Sequence, residues 1–374
     1  MVRIAVDAMG GDHAPGAVVE GALLAAREFG VEIVLVGQKG MVERELTLHS
    51  VGDLAIQMVS ASQSVAMGES PSATLKKRDS SMMVAFDLMK RGEVQAVVGA
   101  GNSGAMMATG MFVLGNLPRV DRPAILVVVP SLGKGTVIID GGANVDCKPH
   151  HLVQFGLMGS IYAERVLGIA RPRVGVLSNG EEEGKGTELT RSASEQLQLT
   201  PLNCIGYVEG RDISSGEVDV VVCDGFTGNV ALKTMEGVAS FILEVLKEAF
   251  RKNYLARLSY LMGRRSLLQA YARLDYAEYG GAPLLGLDGV AIIAHGGSDP
   301  KAIKNAIRVA EETVLHDVNR HIMEVLESLG EVGGEKGDRF PRRVWQHIKS
   351  KIEKIGDKPA SEVEGRETKS GGKS

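Results

Sequence analysis

Six glycine-rich loops hold most of the polar side chains that could do chemistry in this sequence. They span residues 7–13, 99–104, 140–146, 178–186, 224–229 and 295–299, and each follows a short apolar run. In open α/β sheets, ligands bind beyond the carboxyl ends of strands, where glycine lets backbone N–H groups approach an anion and the next helix N-terminus favours negative charge. The pattern therefore predicts a bound phosphate.

Two of these loops match known nucleotide-binding signatures only in part. Segment 99–104 reads G-x-G-x-x-G, but the acidic residue that follows, Asp121, precedes the next apolar run instead of ending it and could not reach a ribose. Segment 180–187 is similar to a P-loop but has the wrong spacing. Lys185 within it could still contact phosphate as a point charge, and a solvated loop lysine is the alternative.

Neither metal binding nor covalent catalysis is indicated. The acidic and histidine residues of the loops lack the paired spacing of metal ligands, and aspartates at strand ends often cap helices. These residues are Asp7, Asp12, His13, Asp140, Asp146, Asp224 and His295. The three cysteines show no CxxC spacing, and the sequence has no GxSxG elbow. We therefore predict no metal and no cofactor, and structural or orienting roles for these side chains.

The composition is that of an ordinary globular protein with one anomaly. The chain has 374 residues, 44% of them hydrophobic, and a net charge of −4, so nucleic-acid binding is not indicated. Glycine is the anomaly, because 47 residues are about 13% of the chain against a usual share near 7%. The polar start predicts no signal peptide, and no apolar run reaches the roughly 18 residues of a membrane span. A reducing cytoplasm is expected.

Short β-branched runs alternate with segments of helical length, which predicts an α/β fold. The runs span 2–6, 31–36, 94–98, 125–129, 137–139, 174–177, 218–222 and 290–294. Most are continuously apolar, which is typical of strands buried on both faces of a largely parallel sheet. Helices are predicted between them, for example over 15–29, 73–89, 152–167 and 302–326. We expect one α/β unit over 1–330, with helices flanking a mostly parallel central sheet.

Residues 331–374 differ from this unit. The segment is rich in glycine, lysine and glutamate, and only 340–355 has the spacing of a short basic helix. We predict a C-terminal extension that ends in a disordered tail.

The stretch 251–273 is basic in an acidic chain. It has six basic residues and no acidic one, and apolar residues interleave with them at roughly helical spacing. We predict a protruding amphipathic helical hairpin over about 236–275. Its candidate patch comprises Arg251, Lys252, Leu255, Arg257, Leu258, Leu261, Met262, Arg264 and Arg265. This patch could be a solvated basic face or a dimer contact, or it could meet anionic lipid or an acidic partner protein.

Taken together, the loop motifs resemble the PlsX family of phosphate acyltransferases, which make acyl phosphates for phospholipid synthesis. The matching segments occur in family order across about residues 1–328. They are IAVDAMGGDHAP, GESPSATLKKRDSSM, AGNSGA, DRPA, GANVDCKP, NGEEEGKG, VCDGFTGNVALKTMEG, YGGAPLLG and AHGGSD. Departures within them are small: Arg78 stands where the family usually has lysine, and Ser103 where threonine is usual.

The resemblance implies transfer of a fatty acyl group from acyl carrier protein to inorganic phosphate. It also implies a fold similar to phosphotransacetylases and isopropylmalate-type dehydrogenases, a homodimer, and peripheral association with the membrane. Two other classes stay open. They are an NAD(P)-dependent dehydrogenase of similar fold and a non-catalytic adaptor that binds carrier protein or lipid.

Acyl transfer to phosphate needs charge neutralisation of the phosphate and a hydrogen-bond donor to the tetrahedral oxyanion. The candidate phosphate cradle comprises Gly101, Asn102, Ser103, Gly104 and Lys185. We hypothesise that Asn229 donates to the oxyanion. His13 is the candidate general acid, oriented by Asp224 or Asp12, and a helix-capping histidine is the alternative. Further substrate-loop candidates are Asn144, Asp146 and Asn179.

Overall fold

The structure is a computed structural model that describes residues 1–182, 184–252, 254–274 and 276–330, so the helix predicted over 340–355 and the tail lie outside the described residues. The strands are β1 (Arg3–Asp7), β2 (Glu32–Gly37), β3 (Ile56–Ser60), β4 (Ala96–Gly99), β5 (Ala124–Val129), β6 (Thr136–Ile139), β7 (Arg173–Leu177), β8 (Asn203–Val208), β9 (Val220–Val222), β10 (Ala282–Leu285) and β11 (Val290–Ile293). The helices are α1 (Gly16–Phe29), α2 (Lys39–Thr47), α3 (Pro71–Thr74), α4 (Ser81–Lys90), α5 (Ser103–Val113), α6 (Pro149–Arg165), α7 (Glu188–Gln198), α8 (Gly225–Arg251), α9 (Tyr254–Leu274), α10 (Tyr276–Tyr279), α11 (Pro300–Leu315) and α12 (Val318–Gly330), with a 3-10 turn at Asp212–Ser214. Within the described residues, no helix combines the length and the apolarity needed to cross a bilayer.

The strands that the structure describes join one sheet in the order β3-β2-β1-β4-β11-β10-β5-β6-β9-β7-β8. The first five are mutually parallel, and so are the last four. Between these two halves lie β10 and β5, whose pairings with each other and with both neighbours are antiparallel. The predicted α/β fold with a mostly parallel sheet is confirmed, and its two parallel halves run in opposite directions.

The antiparallel seam brings the carboxyl ends of the two halves close together. Ile293, at the end of β11, pairs with Ala282 of β10. Two residues further along β10, Leu284 pairs with Ile125 of β5. Ile139, at the end of β6, pairs with the next residue of β5, Leu126. The ends of β11 and β6 therefore lie within one or two residues of each other along the strand direction, where each residue adds a rise of about 3.3 Å. Loops that follow oppositely directed strands can share one site for this reason.

Apolar side chains on both faces of the sheet form the core. On β2, Ile33 and Leu35 pack with α1 and α11, whereas Val34 and Val36 pack with α4 and α5. This double burial is the reason that the strands read as continuous apolar runs. In the second half, α6, α7 and α12 cover one face of the sheet, whereas the other face packs against Leu232 of α8 and Ile213.

Some predicted elements differ from the structure in extent. The edge strands β3 and β8 are missed because most of their residues are half-buried or exposed, so they form no continuous apolar run. The helix predicted over 73–89 is interrupted, and the Ser80 side chain caps α4 after the break. The helix predicted over 302–326 divides at Asp317, whose φ of 50° is left-handed. Local sequence periodicity does not reveal such single-residue breaks.

One buried carboxylate, that of Asp140 at the end of β6, holds the seam in place. Its Oδ1 accepts hydrogen bonds from the backbone N–H groups of Ile125, Gly142 and Ala143. Its Oδ2 accepts from the backbone and the side-chain N–H groups of Asn144, at 2.6 and 2.8 Å. The carboxylate thereby joins β5 to the loop after β6.

We predict that Gly228→Ala destabilises the protein, because a Cβ at residue 228 overlaps the carbonyl oxygen of Asp140 and also meets Cys223. Overpacking of this kind costs roughly 1–3 kcal/mol or more, because backbone has to move. The matched control is Gly237→Ala on the same helix, where a Cβ meets nothing within 4 Å. It should stabilise by about 1 kcal/mol because alanine is the better helix former. Urea unfolding measures both, and equal midpoints would contradict the packing described here.

Candidate active site

Three loops at the carboxyl ends of β1, β4 and β11 pack backbone against backbone. Gly11 has a φ of +96°, and a Cβ there would lie 2.7 Å from the Ala100 carbonyl oxygen and 2.9 Å from that of Gly296. The backbone N–H of Asp12 donates to the Gly296 carbonyl at 2.8 Å. Glycine is therefore needed here for close approach of the loops. The loops after β4 and β11 form one wall of the site, and the loop after β1 packs against them.

Helix α5 begins beside this wall. Asn102 caps it, because its Oδ1 accepts a hydrogen bond from the Ala105 N–H at 3.0 Å. The N–H groups of Ser103 and Gly104 belong to the first turn, which has no acceptors within the helix. Gly101 is buried before the cap, and the Ser103 side chain is exposed. This helix start is suited to an anion.

The side chain of Asn102 has a structural role and is not free for the predicted contact with phosphate. Besides capping α5, it donates from Nδ2 to the carbonyl oxygens of Met67 at 3.0 Å and Glu69 at 2.7 Å. These bonds tie the 66–69 loop to the start of α5. The backbone N–H groups of residues 103 and 104 are the donors at this helix start that could bind an anion.

The second wall is the start of α8, which rests on the loop after β6. Asp224 caps the helix, and its two carboxylate oxygens accept from the backbone N–H and the hydroxyl of Thr227 at 2.9 and 2.7 Å. Asn229 follows in the next turn and is exposed. Among the described residues, the side-chain hydrogen bonds of Asp224 go to Thr227 and none joins it to His13. The structure therefore makes Asp224 a helix cap.

A cavity of about 920 Å³ lies between the two walls. Its lining brings together polar residues from three loops, Ser103, Asn229 and His295. Apolar side chains of β5 and α8 line much of the rest, namely Ile125, Val127, Val129, Leu232, Met235, Val238, Ala239 and Ile242. A largely apolar cavity with a few convergent polar groups has the character of a small-molecule site.

Several polar residues of this lining are missing from the predicted catalytic set, His295 and Lys233 among them. The sequence predicts only a structural or orienting role for His295, and the structure places it in the cavity lining together with Ser103. Lys233 lies one turn after Asn229 on α8, lines the same cavity and pairs with Glu236 at 2.7 Å. The i, i+4 spacing of Asn229 and Lys233 is the sequence signal that could have found the lysine.

Lys185 lies outside the lining of this cavity. It is exposed in the loop after β7 and packs close to Gly180, since a Cβ added to that glycine would lie 2.8 Å from the Lys185 Cγ. Asn179 closes the loop by accepting a hydrogen bond from the Gly186 N–H at 2.9 Å. In the sheet, β9 separates β7 from β6. Two of the glycine loops thus form one wall with the 7–13 loop packed against them, two form the other wall, and the Lys185 loop is set apart.

The remaining predicted substrate residues occupy two kinds of position. Asp12, His13 and Asp146 are exposed in their loops. Asn144 is buried, and its Nδ2 donates to the Asp140 carboxylate at 2.8 Å. Asn144 therefore shapes the loop after β6.

The cysteines near the site are poor nucleophiles. Burial raises the pKa of Cys147 to about 12, and the nearby carboxylates act in the same direction. Burial also raises the pKa of Cys223 well above its ordinary value. Since the thiolate is the reactive form, both side chains are inert thiols at neutral pH.

One group of possible metal ligands lies close together among the described residues. The ligating atoms of Asp121, His150 and His151 are within 4.8 Å of one another. The cluster stands away from the cavity lining. Burial, followed by the charges of His150, Arg122 and Lys148, lowers the pKa of His151. The same positive charges and the start of α6 disfavour a cation there.

Helices α8 and α9 form the predicted hairpin, and the rings of Phe250 and Tyr260 join them at 5.4 Å. Large apolar side chains on α9 are exposed, with Leu255 at 73%, Leu261 at 66% and Met262 at 84%. Leu258 lies on the same helix. The basic residues of the patch, Arg251, Lys252, Arg257, Arg264 and Arg265, are exposed as well.

Comparison with known proteins places the chain in a family. Residues 2–321 match the family model described as fatty acid synthesis protein. The phosphate acyltransferase of Geotalea daltonii is 54% identical over 327 residues, which cover 87% of this chain and 94% of that protein. The chain belongs to the phosphate acyltransferase family. The phosphate acyltransferase of Geobacter sp. strain M21 is 55% identical over 352 residues, or 93% of this chain and 100% of that one. The resemblance seen in the loop motifs is confirmed, and membership makes the chain an acyltransferase enzyme.

Solved structures share the fold of this family member. A phosphotransacetylase from Streptococcus pyogenes aligns with a TM-score of 0.57 at 16% identity, over 84% of this chain and 94% of that one. A 4-hydroxythreonine-4-phosphate dehydrogenase from Klebsiella pneumoniae aligns with a TM-score of 0.51 at 16% identity, over 84% and 100% of the two chains. One fold thus hosts two chemistries, so these likenesses establish the fold alone.

We predict that Asn102→Ser loosens the 66–69 loop. Serine keeps an oxygen that can cap α5 but lacks the donors to Met67 and Glu69. Two lost hydrogen bonds at about 1 kcal/mol each should lower stability by roughly 2 kcal/mol. Amide hydrogen exchange in 66–69 should quicken.

Mass spectrometry of exchanged peptides measures the effect. The matched control is Asn203→Ser, which removes one amide hydrogen bond to the Arg171 carbonyl elsewhere in the fold. This control should leave exchange in 66–69 unchanged. Exchange in that segment as slow in Asn102→Ser as in wild type would contradict the role given to Asn102.

Proposed function

We propose that this protein transfers a fatty acyl group from an acyl carrier protein thioester to inorganic phosphate and releases acyl phosphate for phospholipid synthesis. The observation that carries the proposal is the cavity, where a helix start suited to an anion and a long apolar channel line one space. The names of the close relatives support phosphate as the acceptor. The carrier protein and the acyl phosphate product follow from the family resemblance.

Phosphate is held at the start of α5 in this proposal. The N–H groups of Ser103 and Gly104 donate to its oxygens, the Ser103 hydroxyl adds a third donor, and the helix dipole offsets its charge. Lys233 supplies a cation within the same cavity. Lys185 stays a predicted second cation, and Lys185→Ala tests it by the Michaelis constant for phosphate.

Phosphate is already an anionic nucleophile at neutral pH, so its attack needs positioning more than a base. A phosphate oxygen bonds to the thioester carbon, and the carbonyl electron pair moves to its oxygen. When that pair returns, the C–S bond breaks and the thiolate leaves. The Asn229 amide donates to the charged oxygen in between, a role whose loss typically costs 10²–10³ in rate. His13 remains the predicted proton donor to the thiolate, which needs little help because thiol pKa values are about 8.5.

The acyl chain lies along α8. Cavity-lining residues on this helix run from Asn229 to Ile242, a distance of about 20 Å at 1.5 Å per residue. Leu232, Met235 and Ala239 lie between them on the same face. Each buried methylene contributes about 0.8 kcal/mol, so a channel of this length favours long acyl chains.

We also propose that the α8–α9 hairpin rests on an anionic membrane surface. Its exposed apolar side chains fit insertion among lipids, and its basic residues fit anionic headgroups. The channel helix α8 leads into the hairpin, so product would emerge beside the membrane. Docking of acidic carrier protein on the same basic residues is an outcome that the test below separates. The homodimer implied by the family resemblance is tested by sedimentation.

A dehydrogenase is the weaker alternative because only the fold favours it. Asp121, the acidic residue that follows the G-x-G-x-x-G segment, pairs with His150 at 3.0 Å and stands away from the cavity lining. A non-catalytic adaptor would bind carrier protein without turnover. Incubation of the protein with acyl carrier protein thioester separates these classes, since the proposal requires release of free thiol only when phosphate is present.

We predict that Ala239→Phe shortens the acyl chains that the enzyme accepts. The ring would fill the channel beyond Met235, so turnover of long-chain thioesters should fall at least tenfold while that of short-chain thioesters is kept. The matched control is Ser240→Phe, the next residue, which is exposed and lies outside the cavity lining. Thiol release across a series of chain lengths measures both. An equal loss for all lengths would count against the channel.

We predict that Leu255→Glu combined with Met262→Glu weakens binding to vesicles of phosphatidylglycerol. The change places charge on two exposed apolar residues of the hairpin. Leu48→Glu makes the same change at a residue that is 69% exposed outside the hairpin and serves as the control. Co-sedimentation should fall for the hairpin variant alone. Unchanged co-sedimentation together with weaker carrier-protein binding would show that the patch binds carrier protein and not the membrane.

A further inference from the structure

The cavity extends to the amino ends of β6 and β9, away from the glycine-rich loops that follow their carboxyl ends. Its lining there comes from two turns, the tip of the β5–β6 hairpin (residues 130–135) and the turn before β9, through Pro130, Ser131, Leu132, Ser214 and Ser215. In the sheet, Val129 at the end of β5 pairs with Thr136 at the start of β6. Val137 pairs with Val220 at the start of β9. Both turns are therefore far from Asp140, which follows β6.

Strand β5 and helix α8 run side by side and give the channel a similar length. A Cβ on Gly141 would lie 2.9 Å from Val127 of β5 and 3.2 Å from Leu232 of α8, so the two elements meet beside the loop after β6. From Ile125 the lining continues along β5 to Leu132, a reach of at most about 23 Å at 3.3 Å per residue. The lining of α8 spans about 20 Å. Leu132 thus lies at the far end of the channel.

The hairpin tip is fixed in place by its contacts with the turn before β9. The backbone N–H of Leu132 donates to the Ser214 carbonyl at 3.0 Å. Gly216 has a φ of +80°, and a Cβ there would lie 2.8 Å from the backbone nitrogen of Gly133, so the two turns meet backbone to backbone. The tip is therefore a preformed wall, and a ligand that touches it does not have to order a loop.

Leu132 is the large apolar side chain of this tip. It lines the cavity, yet 87% of it is exposed. The serine hydroxyls beside it belong to their own turns, since those of Ser131 and Ser215 accept hydrogen bonds from the N–H groups of Gly133 and Glu217 at 3.2 and 3.0 Å. Burial of an exposed apolar side chain is favourable in proportion to the area covered. An alkyl chain that fills the channel would provide that cover.

We propose that Leu132 is a specificity residue at the far end of the acyl channel, where the last methylenes of a long acyl chain cover its side chain. This inference rests on the proposed function. A chain too short to reach the tip leaves Leu132 exposed and gains nothing from it. A chain that reaches the tip gains up to about fourfold in kcat/KM for each methylene that is covered. Leu132 thereby favours long acyl chains over short ones.

The test compares kcat/KM across a series of acyl carrier protein thioesters of increasing chain length. We expect Leu132→Ser to lower the ratio of long-chain to short-chain kcat/KM at least fourfold, through the long chains alone. Leu132→Met keeps an apolar side chain and should retain most of the ratio. The matched control is Leu48→Ser, at a leucine that is 69% exposed and lies outside the cavity lining. It should leave the ratio unchanged.

Phosphate-dependent thiol release by the wild-type enzyme is measured first, so an inactive wild type would overturn the proposed function as a whole. With an active wild type, an unchanged ratio in Leu132→Ser overturns the inference, and so does an equal loss for all chain lengths. Vesicle co-sedimentation and analytical sedimentation of the same variant complete the test. Weaker lipid binding or a changed oligomeric state at an unchanged ratio would make Leu132 a membrane or subunit contact instead.

Discussion

Five hydrogen bonds converge on the buried carboxylate of Asp140, and the junction between β5 and the loop after β6 depends on them. Burial raises the pKa of this carboxyl group, while its donors from Ala143, Asn144 and Gly142 favour the charged form. A buried charge is tolerated only when it is hydrogen-bonded in this way. Loss of the carboxylate would leave several backbone N–H groups of the loop without an acceptor, at about 1–3 kcal/mol each. The loop after β6 would then lose the conformation in which the Asn144 carbonyl accepts the Gly225 N–H at the start of α8.

The seam that Asp140 stabilises lies between two walls of the cavity that differ in polarity. The loops after β4 and β11 and the start of α5 provide backbone N–H groups and a helix dipole, which suit an anion. The other wall, made of β5 and α8, is long and carries most of the apolar lining, with Asn229, Lys233 and Glu236 among its polar residues. An anion and an alkyl chain cannot be stabilised by the same surface, because the anion needs hydrogen-bond donors and the alkyl chain needs a surface without them. A cavity between two unlike walls meets both needs of the proposed reaction.

Glycine has different purposes in the two walls. At Gly11 it allows a left-handed backbone and contact between the carbonyl groups of neighbouring loops. At Gly228 it lets a helix rest on a carbonyl oxygen. Neither residue needs to touch a ligand. Much of the glycine excess near the site is thus a requirement of close backbone packing, which in turn exposes the N–H groups that could bind an anion.

The sequence by itself determined the α/β class, the strands buried on both faces, the amphipathic hairpin and the family, because each depends on local periodicity or on contiguous motifs. It also named Ser103 and Asn229, which line the cavity. Only the tertiary structure decided which loops share that cavity. The reason is that β10 comes late in the chain yet lies between β11 and β5, and such long-range pairing leaves no local signal. The tertiary structure also decided the partners of the polar side chains: Asn102 and Asp224 are occupied as caps, Lys185 stands apart, and His295 and Lys233 line the cavity, because a side chain's role depends on neighbours that are distant in sequence.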